Sequence, residues 1–307
     1  MGKGPRREKC TPVLPHPDRN GASALNNTLR EMGTDSSTSH YPLGSTDAEH
    51  ERLIRQAAWV APYTERFFRE AGIGPGQCVL DLGSGVGDVA MLAARLVGPS
   101  GEVLGVEGDS RSVVRARARV AEAGLHNVSF IQSDVCQVPD NQLFDAAVGR
   151  YILMFLPDPV AVLRALSQVV RPGGVVAFQE SSFASFLRLS APLPLWAAGA
   201  SLMIETFQRS GANTEMGPAL YQIFQEAGLP APTVHVDTLL GADQWMAGVL
   251  RSLHWQMRKF NLALEPLGAL DTLPQRLQAE VAASNAVTPL PLIFGAWARR
   301  PTDVASR

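Results

Sequence analysis

A short apolar segment that runs directly into closely spaced glycines constrains this chain more than any other feature. Val79-Leu80-Asp81-Leu82 is followed by Gly83, Gly85 and Gly87, and an amphipathic segment over 89–97 comes next. Glycine lets the backbone turn sharply and approach a ligand without a Cβ clash. The pattern predicts a strand, a tight turn and a helix. Taken alone, it is typical both of a ligand-binding loop and of a plain strand-helix turn.

The same alternation of strand and helix continues along the chain. Strands are predicted over 78–81, 103–107, 128–132, 144–149, 175–180, 233–237 and 290–300, and the main intervening helices over 89–97, 111–123, 159–170 and 217–227. Short apolar strands alternating with helices imply a parallel sheet whose two faces are both covered. The predicted fold class is therefore α/β, a Rossmann-like doubly wound, mostly parallel seven-stranded sheet with helical cap insertions.

Composition shifts divide the chain into six segments. We expect a disordered leader (1–45), a Rossmann-like core (46–180), a helical cap insertion (181–215), a continuation of the core (216–240), a second helical cap insertion (241–287) and the final core strand with its tail (288–307). The leader is rich in polar residues, Pro and Gly and lacks apolar periodicity. Two helical pieces, over 49–60 and 63–71, are predicted to open the core.

Net charge and cysteine content limit the kinds of partner and compartment expected for this chain. The formal net charge is -2, so no overall positive field attracts nucleic acid. The three cysteines are widely spaced and make neither a metal-ligand pair nor a plausible disulfide framework, which favours a reducing compartment. Apolar runs are interrupted well short of a membrane span. We expect a cytoplasmic protein with no metal site, no membrane segment and no nucleic-acid partner, acting on a small-molecule substrate.

Polar residues follow the ends of neighbouring predicted strands. Glu107 ends the second strand, twenty positions after Gly87, and Asp134 lies just past the third. Ligands of open α/β sheets bind outside the carboxyl ends of the strands, where an acid of this kind can bind both hydroxyls of a ribose. Asp134 is placed to accept a hydrogen bond from an adenine amino group. Arg150 follows the fourth strand, either facing the same ligand or pairing with Asp134 or Asp145.

These motifs together resemble those of class I S-adenosylmethionine-dependent methyltransferases. The similar segments are Val79 to Gly87 for motif I, Val106 to Asp109 for the ribose motif, Ser133 to Val135 for the adenine motif, Phe144 to Arg150 for the fourth strand and Leu166 to Gly174 before the fifth. The resemblance covers roughly 50–180, 217–240 and 290–300. It implies S-adenosyl-L-methionine (SAM) as the cofactor, bound by Asp81, Gly83, Ser84, Gly85, Gly87, Glu107, Gly108, Asp134, Val135 and Arg150.

NAD is the competing cofactor. A dinucleotide fingerprint has the spacing Gly-x-Gly-x-x-Gly, whereas the glycines here are Gly83, Gly85 and Gly87. A pyrophosphate favours a helix amino terminus without nearby acids, and Asp81 and Asp88 would repel it. Asp81 instead suits the ammonium end of a methionine moiety, so the sequence favours SAM.

Three residues are candidates for a catalytic role. Transfer of a methyl group to oxygen benefits from a base with a pKa near neutrality. His254 lies in the second insertion, although a half-exposed helix histidine is the competing interpretation. Glu180 ends the fifth strand and is a candidate base, a ligand for a substrate amine, or a structural hydrogen-bonding group. Tyr151 lies next to the cofactor by topology.

The predicted function is methyl transfer from SAM to a small, partly apolar metabolite, with an O- or N-acceptor favoured over C or S. Both insertions are rich in Trp, Phe, Leu and Met, which suits a cover over an apolar acceptor. A homodimer interface is the rival role for these helices. The three dispersed cysteines argue against a thiol-based arsenite methyltransferase. A protein of this fold that binds SAM or S-adenosylhomocysteine (SAH) for a cyclase or regulatory function, without methyl transfer, is the alternative.

Overall fold

The computed structural model describes residues 41–139, 142–241 and 243–302. Residues 1–40 of the predicted leader therefore lie outside the described residues. Of the last five residues of the leader, Pro42 and Leu43 are buried, and Leu43 belongs to the apolar core.

Helices and strands alternate along the described chain. The elements are α1 (Asp47–Ala71), β1 (Cys78–Leu82), α2 (Asp88–Val97), β2 (Glu102–Glu107), α3 (Ser110–Glu122), β3 (Val128–Gln132), β4 (Phe144–Arg150), α4 (Pro159–Val169), β5 (Val170–Ser182), α5 (Ala184–Ser190), α6 (Pro194–Arg209), α7 (Met216–Glu226), β6 (Thr233–Asp237), α8 (Asp243–Lys259), α9 (Leu273–Ala283) and β7 (Leu292–Arg299). Single 3₁₀ turns lie at Leu153–Phe155, Glu265–Leu267 and Leu270–Thr272. These elements confirm the predicted order of strands.

The strands form one seven-stranded sheet in the order β3-β2-β1-β4-β5-β7-β6. Strands β1 to β5 pair in parallel, and β7 runs antiparallel to both β5 and β6. The mostly parallel, seven-stranded, Rossmann-like sheet is thus confirmed. Because β1 to β5 run in one direction, their carboxyl ends share one edge of the sheet.

Two apolar cores lie on the two faces of this sheet. Successive side chains of a strand point to opposite faces, so Val79 and Ala146 pack with α1, α2 and α3, while Leu80 and Ala147 belong to the opposite core. The second core extends into α5, α6, α8 and α9, which carry the segments predicted as insertions. The sheet therefore separates a helical layer on one face from a larger helical layer on the other, in which α4 and α7 are joined by the helices of the two predicted insertions.

The first helix differs from the prediction of two pieces. α1 is continuous over 25 residues and includes Pro62 in its interior. Proline removes one helical hydrogen bond and usually ends or kinks a helix. Burial of Val60 before the proline and of Phe67 and Phe68 after it keeps both halves packed on the same core. Tertiary packing outweighs the local cost here.

The fifth strand also begins earlier than predicted. β5 starts at Val170, directly after α4, and the register shifts between Phe144 and Ala146 of the neighbouring strand. Gly173 takes a positive φ of 78° in this irregular stretch, and its N–H donates to the carbonyl of Arg300. The Pro-Gly-Gly sequence that predicts a turn therefore forms a bulge at the start of the strand.

Among the described residues, no helix combines the length and the apolar character that crossing a membrane requires.

Candidate active site

The glycine-rich loop follows β1 at the carboxyl edge of the sheet. Gly83 and Gly85 have positive φ angles of 68° and 51°, a region that favours glycine. A Cβ on Gly83 would lie 2.6 Å from Cγ1 of Ile152, whereas a Cβ on Gly85 would meet nothing within 4 Å. The loop is thus packed closely against Ile152 at Gly83 and is open at Gly85, as a ligand-binding loop requires.

Glu107 lies beside this loop at the end of β2. Its Oε2 accepts a hydrogen bond from the Gly85 N–H at 2.8 Å, and its Oε1 accepts one from the Asp109 N–H at 2.9 Å. Burial raises the pKa of the carboxyl, and the backbone N–H groups act in the opposite direction. Each oxygen of a carboxylate has two lone pairs, so both keep acceptor capacity for ribose hydroxyls.

The residues predicted to bind adenine are neighbours of Glu107. The Ser133 N–H donates to the Glu107 carbonyl at 3.0 Å, which places Asp134 and Val135 just beyond the same strand end. The Asp134 carboxylate is exposed and accepts from the Cys136 N–H at 2.9 Å, while Val135 is buried. A polar acceptor beside an apolar side chain matches the edge and the face of a purine ring.

Asp81 is a buried carboxyl group without a described partner. It is fully buried at the end of β1, and neither of its oxygens forms a hydrogen bond within the described residues. Burial holds the pKa of this carboxyl well above its usual range, and the positive charge of Arg150 and the nearby Ala90 N–H partly offset that effect. The Ser84 hydroxyl is also buried and without a partner. Because buried polar groups are normally hydrogen-bonded, this pair fits the polar end of a cofactor.

Arg150, at the end of β4, is held by side chains from α1 and β5. Its Nη1 donates to Thr64 Oγ1 at 2.9 Å, and Thr64 Oγ1 donates to Gln179 Oε1 at 2.7 Å. The alternative in which Arg150 pairs with Asp134 or Asp145 is wrong, because their carboxylates bind elsewhere. The remaining guanidinium donors are available to a ligand at this edge.

Tyr151 adopts a left-handed backbone conformation immediately after β4. Its φ is 57°, a value that is uncommon outside glycine and that clusters at functional sites. The Tyr151 N–H donates to the Gln179 carbonyl at 2.8 Å, and the Arg150 guanidinium lies 5.9 Å from the centre of the Tyr151 ring. Burial raises the pKa of the phenol to about 12. At neutral pH Tyr151 is therefore suited to donate a hydrogen bond rather than to accept a proton.

Glu180 is a fully buried carboxyl group in β5, near its carboxyl end. Its Oε1 accepts hydrogen bonds from the N–H groups of Ile152 at 2.9 Å and Leu153 at 2.7 Å, at the start of the 3₁₀ turn. Its Oε2 forms no hydrogen bond with the described residues. Burial raises the pKa of Glu180 to about 8, and the backbone N–H groups limit the rise. One oxygen is therefore anchored, and the other is left for a ligand.

The structure connects the cofactor candidates to one another and to Glu180. Gly85 bonds to Glu107, Gly83 abuts Ile152, and Ile152 bonds to Glu180. His254 is not part of this group. It is half-buried on α8, and its ring forms no hydrogen bond or ion pair with any described residue.

Several contacts at this edge come from residues that the sequence motifs do not contain. Thr64 is fully buried on α1, and Gln179 immediately precedes Glu180. Tyr41 packs edge-on against Phe155 with ring centroids 5.2 Å apart, and its hydroxyl donates to Glu49. The only sequence signal for Thr64 is a polar residue on the buried face of an amphipathic helix.

An aromatic series leads from the 3₁₀ turn into the cap. Phe155 packs against Phe207 of α6 with centroids 6.2 Å apart, and Phe207 packs against Phe183 at 5.7 Å. Phe183 directly follows β5, close in sequence to Glu180. The chain that leaves the carboxyl end of β5 therefore runs into an apolar, aromatic region.

Comparison with known families identifies the central part of the chain. The family described as methyltransferase domain matches residues 73–228, just over half of the chain. This range includes the glycine-rich loop, Glu107, Asp134, Arg150 and Glu180.

Curated relatives match over part of their length. The chain is 34% identical over 111 residues to an arsenite methyltransferase of Halobacterium salinarum, covering 36% of this chain and 28% of that protein. It is 34% identical over 118 residues to the ubiquinone/menaquinone biosynthesis C-methyltransferase UbiE of Coxiella burnetii, covering 38% and 47%. A demethylmenaquinone methyltransferase of Staphylococcus aureus is 26% identical over 179 residues, covering 54% and 73%. The chain thus spans less than half the length of the first two relatives.

Solved structures share the fold at low sequence identity. A Bacillus halodurans protein superposes with a TM-score of 0.54 at 16% identity, over 78% of this chain and 99% of that one. The YcgJ protein of Bacillus subtilis gives a TM-score of 0.55 at 16% identity, over 78% and 97%. These similarities extend the shared architecture beyond the region of clear sequence similarity.

Proposed function

We propose that this chain, which belongs to the methyltransferase domain family and is a SAM-dependent enzyme, transfers a methyl group to a small, partly apolar metabolite. The observation that carries the proposal is the juxtaposition, at one sheet edge, of an open glycine-rich loop and a buried carboxyl group with one unpartnered oxygen. In this proposal the loop holds the cofactor, and the unpartnered carboxyl oxygen serves the acceptor.

The residues at the loop fit each part of SAM. Glu107 keeps acceptor capacity for the two ribose hydroxyls, and Asp134 with Val135 suits the adenine. Asp81, buried without a partner, suits the ammonium group of the methionine moiety. Arg150, held in place by Thr64, suits its carboxylate, because guanidinium groups bind carboxylates by paired hydrogen bonds. Gly85 leaves the space above the loop free.

When bound, SAM supplies an electrophilic methyl group to which a nucleophile must approach in line. The contribution of the chain is to position the acceptor and to receive its proton. Glu180 is anchored through Oε1, so its Oε2 has a fixed direction. A carboxyl group with a pKa of about 8 is matched to removing a proton near neutral pH. This supports an oxygen or nitrogen acceptor.

The helical cap supports an apolar acceptor. Trp196 and Met203 of α6 are fully buried, as are Leu250 and Met257 of α8. These helices thus cover their own apolar faces within one chain, which favours a cover over the acceptor site rather than a homodimer interface. The aromatic series through Phe155 continues this apolar environment to the 3₁₀ turn after β4. An apolar cover there would exclude water from the reacting groups.

A carbon acceptor is the second candidate. The relatives with 34% identity include a protein named as a quinone C-methyltransferase. A base such as Glu180 also suits an activated ring carbon, which loses a proton on methylation. The acceptor class separates these two candidates: amines and alcohols for the first, quinols for the second.

A labelling experiment tests the proposal. The protein is incubated with SAM carrying a labelled methyl group and with a cell extract that is fractionated by size and polarity. We expect label in a small, organic-extractable product, whose structure then shows whether O, N or C is methylated. Glu107→Ala, assayed at a SAM concentration near the wild-type Kd, serves as the control with reduced transfer. Label that enters only protein or nucleic acid, or no transfer at all, would refute the proposal.

A further inference from the structure

A cleft of about 260 Å³ lies between α1 and the first half of α8. None of its lining residues belongs to the site at the carboxyl edge of the sheet. Its walls carry three arginines and two tryptophans, and no acidic side chain is among the described lining residues. These five side chains are Arg52, Arg55, Trp59, Trp245 and Arg251.

The charge of Arg52 is balanced inside the protein. Its Nε and Nη2 donate to the two oxygens of the buried Glu49 at 2.7 Å each, and its Nη1 donates to Gln56 at 2.6 Å. A guanidinium has five N–H groups, so two remain after these three bonds. Arg52 therefore supplies rigid donors to the cleft without adding net charge.

Arg55 and Arg251 give the cleft its positive charge. Arg55 is exposed and forms no hydrogen bond or ion pair with any described residue. Arg251 donates only to the carbonyl of Leu270, at 3.3 Å. Two guanidinium groups without acidic partners, on opposite walls of one cleft, form an environment that attracts an anion.

Aromatic rings and amides complete the lining. The indole N–H of Trp245 donates to Gln56 Oε1 at 2.8 Å, and this oxygen also accepts from Arg52. The Gln56 amide nitrogen donates to no described residue and is available to a ligand. Trp59 is 38% exposed on the α1 side, so its ring offers a stacking surface.

Trp245 separates the cleft from the cap interior. Its ring packs edge-on against Phe186 with centroids 5.8 Å apart, and Phe186 is buried against Trp196. The cleft therefore ends at Trp245. Its volume is slightly below the range of roughly 300–1,000 Å³ typical of drug-sized ligands, which favours a compact molecule with a single ring system.

We propose that this cleft is a second ligand site, distinct from the cofactor and acceptor site, for a small planar anion in which a ring system carries a carboxylate or a phosphate. The ring stacks on the exposed face of Trp59, and the anionic group binds between Arg55 and Arg251. Arg52 and the Gln56 amide supply the remaining donors.

Binding to the full chain saturated with SAH tests this site, because adenine-containing probes are then excluded from the cofactor loop. The probes are 1-naphthoate, adenosine 5′-monophosphate and inorganic phosphate, measured by calorimetry and tryptophan fluorescence. We expect at least one ring anion to bind with a Kd below about 1 mM. The uncharged counterparts, 1-naphthalenemethanol and adenosine, should bind at least about tenfold more weakly. The preferred ring anion identifies the carboxylate or the phosphate as the group recognised.

Variants locate the binding. Arg55→Gln and Arg251→Gln should each raise the Kd about threefold to tenfold. Arg69→Gln is the matched control, since Arg69 is on the same helix, pairs with Glu65 and lies outside the cleft. Arg69→Gln should leave the Kd unchanged. The proposal is overturned if neither ring anion binds with a Kd below about 1 mM, if the uncharged counterparts bind equally well, or if Arg55→Gln and Arg251→Gln change the Kd no more than Arg69→Gln does.

Discussion

Replacing Glu180 with glutamine separates the chemical role of this residue from its structural one. The side chain is fully buried, and its Oε1 accepts the N–H groups of Ile152 and Leu153. The amide oxygen of glutamine accepts the same two bonds. The substitution therefore changes only the titratable proton and the unpartnered Oε2.

The stability of the variant relative to the wild type depends on pH. Burial raises the pKa of Glu180 from 4.5 to about 8, so the folded state binds this proton more tightly than the unfolded chain. The resulting stabilisation is fully present below about pH 4.5 and is lost as the pH rises through about 8. At roughly 1.36 kcal/mol per pH unit, the loss is at most about 5 kcal/mol. In the variant, the buried amide group without a partner lowers the stability by about 1–3 kcal/mol, which offsets part of this difference.

We therefore expect Glu180→Gln to be about 2 kcal/mol more stable than the wild type at pH 9 and less stable at pH 5. Urea unfolding at the two pH values measures this difference. The rate of methyl transfer should be lower in the variant than in the wild type, because the carboxylate is needed to receive the acceptor proton. The wild-type rate should rise with pH around an apparent pKa near 8, and the variant should lose about 10²–10⁴ of that rate.

Glu215→Gln is the matched control. The Oε1 of Glu215 accepts the N–H groups of Phe183 at 2.9 Å and Ala184 at 2.8 Å, so it anchors the next turn of the chain in a similar way. Glu215 differs from Glu180 in that its Oε2 also accepts from the Ser182 hydroxyl at 2.6 Å. The Glu215→Gln variant should keep the wild-type pH profile of the rate and gain no stability at pH 9. If Glu180→Gln transfers methyl groups at the wild-type rate with the same pH dependence, Glu180 is not the base. If its stability relative to the wild type is independent of pH, the buried carboxyl group does not titrate as described.

Three further predictions concern the cofactor and the leader. Glu107→Ala should weaken SAH binding by about 2 kcal/mol, because charge-assisted hydrogen bonds to the ribose are lost. Glu102→Ala, at the other end of β2, should leave SAH binding unchanged. Equal effects of the two variants in calorimetry would argue against the ribose assignment. Thr64→Val should weaken SAH binding by about 1 kcal/mol by releasing Arg150, whereas Thr206→Val, which removes a buried hydroxyl bonded to Leu202 in the cap, should leave that affinity unchanged. Deleting the chain up to Asp35 should leave the thermal unfolding midpoint nearly unchanged, and a fall of many degrees would show that the leader packs on the core.

The sequence is sufficient to predict the residues at the ends of the strands. Gly85, Glu107 and Asp134 each lie within a few positions of an apolar strand, so local patterns place them at one edge of a parallel sheet. Thr64 and Gln179 are different, because they reach Arg150 from 86 and 29 positions away in sequence. The contact between them spans 115 positions. Such contacts depend on how α1 packs on the sheet, which no local pattern encodes.

Two backbone features show the same limit. Pro62 locally favours a break, yet burial on both sides of it keeps α1 continuous. The Pro-Gly-Gly sequence after α4 locally favours a turn, yet pairing with β7 and the chain beyond it makes it part of β5. His254 illustrates the converse. A titratable residue in a predicted cap has a plausible chemistry, but its position on the helix surface decides whether it reaches the site.

Calorimetric titration with SAH tests the central claim, that the glycine-rich loop and Glu107 hold SAM at the carboxyl edge of the sheet. We expect a one-to-one complex with a free energy of binding on the order of -7 to -8 kcal/mol, corresponding to micromolar affinity. Glu107→Ala should remove about 2 kcal/mol of it, and NADH should not compete. Tight binding of NADH with no response to SAH would contradict the account.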